Sequence, residues 1–318
     1  MGLFYILFGV LLVYFVSLRS YQKHSLSRGG AFTSFLVGSI HIVAGWRYAF
    51  LLIFFFVTSS KLTKMWSNVK KQKEDDFKYG GERSSLQVLS NSFIPTLICL
   101  YVSVAKNGIS RQLYDQVQME EDFVLLPIVL AYYCECCADT WGSEVGILSS
   151  NPFLLFLPWI PVPAGTNGGV SSLGLGIACL AGLVLTLLYA LIQPSSSLSF
   201  LAIFLVCLFA SVFGTFLDSF LGSILEESWW CASKKRVIKF EEHACDDCKQ
   251  ARKENRNVLG HLPTRCGHIC GHQVLSGNGI NILSSSITSI LVGLGLIHVY
   301  LKWICLLMSE FQKWTLFL

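Results

Sequence analysis

The chain alternates between long apolar runs and short polar segments, and this pattern predicts a bundle of membrane-spanning helices. The apolar runs cover 3–18, 31–45, 48–60, 88–105, 123–138, 169–192, 198–225 and 282–308. A straight helical span needs about 20 residues, and several of these runs are shorter. The two runs that flank Gly45 can therefore form two short helices or one bent helix, which leaves seven or eight spans.

The distribution of basic residues favours eight spans. Nineteen of the 24 Lys and Arg residues lie in three segments, 19–30, 61–84 and 228–280, whereas segment 106–122 is mainly acidic. Short loops rich in Lys and Arg stay on the cytosolic side of a membrane. Eight spans put all three basic segments on that side, while a bent helix over 31–60 separates the first two. The sequence therefore predicts eight spans, with both termini outside the cytosol.

The composition supports the same fold class. Hydrophobic residues make up 53% of the 318 residues and charged residues only 14%, against about 25% charged in soluble domains. We expect an all-α, polytopic transmembrane helical bundle forming a single integral membrane domain over 1–318, with 228–280 as a basic cytosolic loop. The bilayer is then the main partner, in the endoplasmic reticulum or another endomembrane, or in the plasma membrane. No nucleic acid partner is expected, and the oligomeric state is left open.

Carboxylates interrupt two of the predicted spans. Glu135, Asp139 and Glu144 lie in or next to one span. Asp218 and Glu226 lie in or next to another, where they follow Gly214 and Gly222 at steps of four. A carboxylate near mid-membrane costs about 2.5–3.5 kcal/mol on insertion scales, so such groups usually face a polar cavity or a cation. Carboxylate oxygens suit Mg²⁺, which proteins bind together with substrate phosphates. We expect Asp139 and Asp218 to bind Mg²⁺, with Glu144 as a supporting ligand or base. Pairing with Lys or Arg for assembly is the alternative, and the role of Glu135 stays open.

A glycine-rich run and several polar residues reach the same predicted face. The run Gly165, Thr166, Asn167, Gly168 and Gly169 opens the sixth predicted helix. Backbone N–H groups at a glycine-rich helix start can bind phosphate, although the run lacks the Gly-Lys-Ser/Thr of a P-loop. Its interpretation as a phosphate cradle therefore competes with an ordinary turn.

Two further polar sets are predicted at the entries of other spans. Arg83 lies one helical turn before Gln87 and two before Asn91, on a face expected to look into the cavity. There Arg83 is expected to bind a phosphate, and Asn91 to contribute to nucleotide binding. Asn278 and Asn281 lie at the start of the last predicted helix, where they can cap it or bind a metal or nucleotide. In the eight-span topology, all of these residues reach the cytosolic side together with Asp139 and Asp218.

The basic loop carries a cysteine pattern that is typical of a metal site. Cys245 and Cys248 are followed by Cys266 and Cys270, and the spacing is similar to that of a zinc knuckle. In a reducing cytosol a metal is favoured over disulfides. The pattern predicts a possible structural Zn²⁺ site without a catalytic role, because four thiolates leave no open position on the metal.

Four motifs, in the same order along the chain, resemble those of one integral membrane family, long catalogued as domain of unknown function 92. The family includes transmembrane protein 19, a plant plasma-membrane glucose-responsive regulator and a phytyl-phosphate kinase. The motifs are Gln-Val-Leu-Ser-Asn ending at Asn91, Ala-Asp-Thr-Trp-Gly-Ser-Glu-Val-Gly around Asp139, Pro-Ala-Gly-Thr-Asn-Gly-Gly-Val-Ser around Asn167, and Gly-x-x-x-Asp-Ser-x-x-Gly around Asp218.

The resemblance implies a polytopic fold. Through the kinase member it also implies phosphoryl transfer from a nucleoside triphosphate, with CTP preferred, to an isoprenoid or lipid monophosphate. The chain is more similar to the branch of transmembrane protein 19 and the glucose regulator. The alternative is therefore a non-enzymatic membrane protein, a transporter or a sugar-response regulator, that uses the same acids as a cation site.

Overall fold

Helices dominate the structure, a computed structural model that describes residues 3–65, 81–108, 121–149, 152–154, 160–196, 198–238, 240, 244–260 and 263–315. The helices are α1 (Leu3–Gln22), α2 (Arg28–Ala44), α3 (Trp46–Met65), α4 (Ser85–Ser90), α5 (Phe93–Gly108), α6 (Leu126–Gly146), α7 (Ser172–Ile192), α8 (Phe200–Leu225), α9 (Asp246–Lys253) and α10 (Gly277–Thr315). A π-helical turn, Glu121–Leu125, leads into α6.

Membrane-spanning length is reached by six helices within the described residues. They are α1, α3, α6, α7, α8 and α10, and a shorter apolar helix covers Phe93–Ala105. The predicted all-α, multi-pass membrane fold is thus confirmed. Gly45 separates α2 from α3, so segment 31–60 forms two helices rather than one bent helix. The number of membrane crossings and their orientation remain predictions, and most of the acidic segment 106–122 lies outside the described residues.

The fourth predicted span is interrupted. Its residues form the short helix α4 and the longer α5, which are separated at Asn91 and Ser92. Ser84 and Gln87 form a capping box that starts α4. Pro95 lacks the N–H group that would bond to the Asn91 carbonyl, so it favours a new helix start just before it.

Helix α6 forms the centre of the bundle. It packs against α3, α7, α8 and α10, and 72% of its most apolar window is buried, against 17% for α1. Small residues bring its neighbour close: a Cβ atom on Gly142 would lie 3.2 Å from the carbonyl oxygen of Gly174 on α7. Such close backbone approach is the usual mode of helix association in lipid. The carboxylates of α6 are therefore held between neighbouring helices.

Two small antiparallel sheets accompany the helices, which the all-α prediction did not include. Strands β1, β2 and β3 join in the order β2-β1-β3, and β4, β5 and β6 join in the order β5-β4-β6. Their bounds are Phe153–Leu154, Ile160–Pro161, Gly169–Val170, Ser228–Cys231, Arg236–Ile238 and Gly267–Cys270. The first sheet precedes the amino end of α7, and the second follows the carboxyl end of α8.

Candidate functional site

A cavity of about 320 Å³ opens between α6, α7, α8 and the start of α10. Its charged lining groups are Asp139 from α6, Asp218 from α8 and Glu226, which follows α8. The segment from Ala164 to Ser171 forms another wall. The structure thus brings the two predicted metal-binding carboxylates and the glycine-rich run into one cavity, although they come from three separate parts of the chain.

Helical periodicity places the polar side chains of α8 in this cavity. Thr215, Asp218, Gly222 and Glu226 recur at intervals of three or four residues and all line it, together with Ser219. Within the described part of the chain, Asp139 and Asp218 are not paired with Lys or Arg. The alternative in which these acids form ion pairs for assembly therefore has no support among the described residues.

A hydroxyl group links a deeper carboxylate to the cavity. Ser284 on α10 has its Oγ 2.9 Å from Glu135 Oε1 and 2.9 Å from Asp218 Oδ2. A serine hydroxyl carries one proton, so it donates to one of the two carboxylates at a time. Glu135 is almost fully buried, and it lies against Gly214, where a Cβ atom would collide with its side chain. A polar network therefore continues from the cavity into the contact between α6, α8 and α10.

The glycine-rich run is a tight loop against α8, and it precedes α7 rather than opening it. Gly165 and Gly168 have φ angles of 90° and 75°, which favour glycine. A Cβ atom on Gly168 would lie 2.5 Å from the Cβ of Ser223. Helix α7 begins at Ser172 and is capped by Ser171, whose side chain accepts a hydrogen bond from the Gly174 N–H.

Several N–H groups of this loop bond within the protein. Thr166 N–H donates to the Pro163 carbonyl, Asn167 N–H to Ser228 Oγ, and Gly169 N–H to the Thr166 carbonyl. These three amides shape the loop and already donate hydrogen bonds within the protein. Fewer than five N–H groups of the predicted cradle therefore remain for a phosphate. Ser171 and Gly174, at the amino end of α7, also line the cavity. The positive end of the α7 dipole is therefore better suited to bind an anion in the cavity than the loop amides are.

The two asparagines of α10 have different surroundings. Asn281 lines the cavity one turn after Gly277, which lines it too. Asn278 is half-buried and is not among the described residues that line the cavity. The predicted binding role therefore fits the position of Asn281 but not that of Asn278, which is rotated by about 100° from Gly277 and about 160° from Ile280, both of which line the cavity.

Arg83 and Asn91 face elsewhere, which corrects the expectation that they enter the acidic cavity. Both line a separate, mainly apolar cavity of about 50 Å³ next to α1, α2 and α3. The Arg83 guanidinium donates a 2.6 Å hydrogen bond to Ser60 Oγ, and its backbone N–H donates to the Ser25 carbonyl. These contacts hold Arg83 between α2 and α3. The predicted phosphate clamp does not fit this position.

Glu144 also lies away from the cavity, which corrects its predicted supporting role. Its Oε1 accepts a 2.8 Å hydrogen bond from Thr63 on α3, and among the described lining residues of the acidic cavity Glu144 is not found. Five residues along a helix correspond to a rotation of about 140° from Asp139. The helix geometry therefore turns Glu144 towards α3 while Asp139 faces α8.

A cluster of four thiols lies in the loop after α8, with a different membership from the one predicted. Cys231, Cys245, Cys248 and Cys266 have their sulfur atoms within 4.8 Å of one another. Cys270 was predicted as the fourth ligand, but it lies at the opposite end of β6 from Cys266. Its Sγ is 3.5 Å from the Asn167 carbonyl oxygen, next to the cavity loop. His261 lies outside the described residues.

The thiols of Cys245 and Cys270 have different proton affinities. Partial burial raises the pKa of Cys245, but hydrogen bonds from Ser233 and Cys248 outweigh this effect and lower the pKa to about 6. Burial raises the pKa of Cys270 to about 11. The cluster thus favours a thiolate at Cys245, whereas Cys270 is held as a thiol.

Sequence reasoning missed several polar residues of the site. Thr215 follows the helical spacing of Asp218, and Ser284 lies one turn after Asn281 in α10, so periodicity could have found both. Cys231 carries no comparable signal. It lies 14 residues before Cys245, in a strand that only the folded sheet brings beside the other thiols.

The fold and the cavity define a multi-pass helical membrane protein whose helices enclose an acidic site. The chain belongs to the family described as integral membrane protein DUF92, whose profile matches residues 11–289, so the resemblance is confirmed. It is 31% identical over 304 residues to Protein PGR of Arabidopsis thaliana, covering 93% of this chain and 98% of the relative.

A more distant relative is an uncharacterized membrane protein of Methanocaldococcus jannaschii. The two are 25% identical over 166 residues, which is 52% of this chain and 62% of the relative. No solved structure matches the chain. The cavity described above is therefore assigned from this chain's own residues.

Proposed function

We propose that the protein is a membrane phosphotransferase that moves a phosphoryl group from a nucleoside triphosphate, CTP preferred, to an isoprenoid or lipid monophosphate at the cytosolic face. One observation carries this proposal: Asp139 and Asp218, from separate helices, line a single cavity together with a glycine-rich loop and the amino end of α7. Phosphoryl transfer depends mainly on positioning and charge neutralisation, and this combination offers both.

The donor atoms in the cavity fit Mg²⁺. Asp139 and Asp218 offer carboxylate oxygens, and Thr215 and Ser219 offer hydroxyl groups, which are the hard oxygen ligands that Mg²⁺ prefers. Asp139 and Asp218 would hold the ion, which supplies charge neutralisation at the phosphates. Ser284 would keep Asp218 in place by its hydrogen bond. The amino end of α7 would orient a phosphate towards the ion.

Apolar groups in the same cavity suit a lipid substrate. Ile147, Leu175, Phe216 and Ile280 contribute to the lining beside the polar groups. A prenyl or acyl chain binds well to such a surface, because apolar groups are more stable in apolar surroundings than in water. The cavity is also within the size range of small-molecule sites, about 300–1,000 Å³. A lipid monophosphate could place its head group by the acids and its chain along these side chains.

A second candidate function uses the acids as a cation site in a non-enzymatic transporter or sugar-response regulator. The observation in its favour is the network from Asp218 through Ser284 to Glu135, which continues beyond the cavity into the helix contact. Buried carboxylates in membrane helices often mark ion or proton pathways. Phosphoryl transfer does not require Glu135 at that depth, whereas a cation pathway does.

Transfer of radiolabelled phosphate from CTP or ATP to phytyl or farnesyl phosphate, with purified protein in detergent, tests the first candidate. We expect Mg²⁺-dependent product, which Asp139→Asn and Asp218→Asn each reduce by at least 100-fold. Glu144→Gln is the matched control, a buried carboxylate on the same helix as Asp139 that bonds to Thr63. It should retain most of the turnover.

Two results would contradict the proposal. One is unchanged turnover in both aspartate variants, which would leave the activity in place but show that neither carboxylate takes part in it. The other is the absence of nucleotide-dependent thermal stabilisation together with cation- or sugar-dependent flux in proteoliposomes. Loss of that flux in Glu135→Gln would then support the second candidate.

A further inference from the structure

We propose that Cys231, Cys245, Cys248 and Cys266 bind one structural Zn²⁺ ion, and that this ion fixes the sheet that holds the cavity loop in place. The ligand set differs from the one that the spacing of the cysteines predicts, because Cys231 takes the place of Cys270. This proposal does not rest on the proposed phosphotransferase function, since the ligands lie outside the acidic cavity, in the loop between α8 and α10.

The distances between the sulfur atoms match a tetrahedral zinc site. Cys245 Sγ lies 3.6 Å from Cys231 Sγ, 3.4 Å from Cys248 Sγ and 3.9 Å from Cys266 Sγ. Zn–S bonds of about 2.3 Å in a tetrahedron place the sulfur atoms about 3.8 Å apart. A disulfide needs about 2.05 Å, and these four cysteines are free thiols. The thiols thus surround a space of the size that one ion occupies.

Hydrogen-bond donors lie next to two of the thiols, as is common around metal-bound sulfur atoms. The N–H of Ala232 donates to Cys266 Sγ at 3.3 Å, and Ser233 Oγ lies 3.5 Å from Cys245 Sγ. Cys245 precedes α9 and Cys248 lies in its first turn, at the positive end of the helix dipole. Four thiolates with Zn²⁺ carry a net charge of −2. The basic segment that contains the cluster compensates this charge.

The loop also needs a cross-link, because the hydrophobic core on the thiol-bearing side of its sheet is small. That core comprises six buried side chains among the described residues, and three of the six are thiols of the cluster. They are Trp229, Cys231, Ile238, Cys248, Ala251 and Cys266. Segments of this size rarely fold on apolar burial alone, and metals or disulfides usually supply the missing stability. Free thiols inside this small core are explained if they bind a metal.

The other end of the same sheet holds the cavity loop. Ser228 begins β4 and Cys231 ends it, while Cys270 ends β6 beside Ser228. Ser228 Oγ accepts the Asn167 N–H, and Cys270 Sγ donates to the Asn167 carbonyl. Both contacts fix one peptide of the loop that lines the acidic cavity. A metal at the Cys231 end orders the two strands and thereby Asn167 at the opposite end.

Metal analysis of the purified full-length protein under reducing conditions tests the ligand set. We expect one zinc per chain by mass spectrometry. Cys231→Ser and Cys245→Ser should each lose at least 90% of it, and Cys270→Ser should keep it. Substitution by Co²⁺ should give the d–d bands of a tetrahedral thiolate site. Since a ligand variant can fail to fold, a thiol reagent added to the wild-type protein should also release one zinc equivalent.

Hydrogen exchange tests the link to the cavity loop without any assay of activity. Removal of zinc from the wild-type protein should increase amide exchange in a peptide that covers Asn167 at least 10-fold, with α7 unchanged. Protein that holds no zinc and takes up none, that holds iron instead, or that loses zinc in Cys270→Ser but not in Cys231→Ser overturns the proposed site. Unchanged exchange at Asn167 after zinc release overturns the link.

Discussion

The backbone N–H of Asn167 donates a 3.1 Å hydrogen bond to the Oγ of Ser228, across 61 residues of sequence. Asn167 belongs to the loop that lines the acidic cavity, and Ser228 begins the sheet that carries the thiol cluster. This bond, together with that from Cys270 Sγ to the Asn167 carbonyl, joins two parts of the structure that are separated in sequence by α7 and α8. The shape of the cavity therefore depends on the segment that follows α8.

Ser228→Ala removes the acceptor from this bond. The bond is partly buried and Asn167 lines the cavity, so loss of the bond should cost about 0.5–1.5 kcal/mol, the net contribution of a typical hydrogen bond. We expect a lower midpoint of thermal unfolding in detergent. Ser39→Ala is the control, because its hydroxyl bonds to the Phe35 carbonyl of its own helix. A larger loss of stability in the control would contradict the importance assigned to Ser228.

Gly168→Ala is expected to destabilise the loop strongly. Its φ angle of 75° costs a residue other than glycine about 1–3 kcal/mol, and the new Cβ would also displace Ser223. Gly176→Ala, in an open part of α7, meets no atom within 4 Å and should stabilise the helix by about 0.5–1 kcal/mol. Opposite shifts of the unfolding midpoint for the two variants are the expected outcome. Equal shifts would contradict the described position of the loop.

Ser284→Ala tests how much the polar network contributes to the free energy of unfolding. Its hydroxyl lies 2.9 Å from both Glu135 and Asp218, and a hydrogen bond of this kind contributes about 0.5–1.5 kcal/mol. We expect a loss of unfolding free energy in this range. Ser289→Ala is a matched control on the same helix, since its hydroxyl bonds to the Ser286 carbonyl. The difference between the variants measures the network, and a difference near zero would argue against it.

The orientation predicted from the basic residues can be tested with inserted glycosylation acceptor sites. Sites within segments 19–30 and 66–80, and one after Gly260, should stay unmodified, because all three lie in segments rich in Lys and Arg. A site within segment 109–120 should be glycosylated. Modification of only one of the first two sites would support seven spans, and modification of all three would reverse the topology.

The residues that line the acidic cavity show which features of a site can be found from sequence. Asp139 and Asp218 were recognisable because carboxylates are rare in apolar helices, where each one carries a large desolvation cost. Gly222 and Glu226 followed from the period of a helix. Glu144 satisfied the same criterion as Asp139, yet it bonds to Thr63 on the other side of α6. Its direction depended on which helix packs there, and local spacing does not contain that information.

Arg83 and Cys231 illustrate the second limit. Arg83 was predicted in the cavity from its place before Gln87, but its backbone contact with Ser25 and its bond to Ser60 hold it between α2 and α3. Cys231 was left out because it lacks a neighbouring cysteine at metal-ligand spacing. Only the pairing of β4 with β6 brings it beside Cys266. In both cases the deciding contacts join residues that are distant in sequence.

By itself, the sequence determined the membrane fold, the family and the two central carboxylates, because hydrophobic runs and the cost of buried charge act locally along each helix. The tertiary structure decided which polar groups meet. It placed the loop at Asn167 beside Asp218, turned Glu144 and Arg83 away, and replaced Cys270 by Cys231 in the thiol cluster. Helix rotation and strand pairing fix these choices, since each depends on packing partners that lie far apart in the chain.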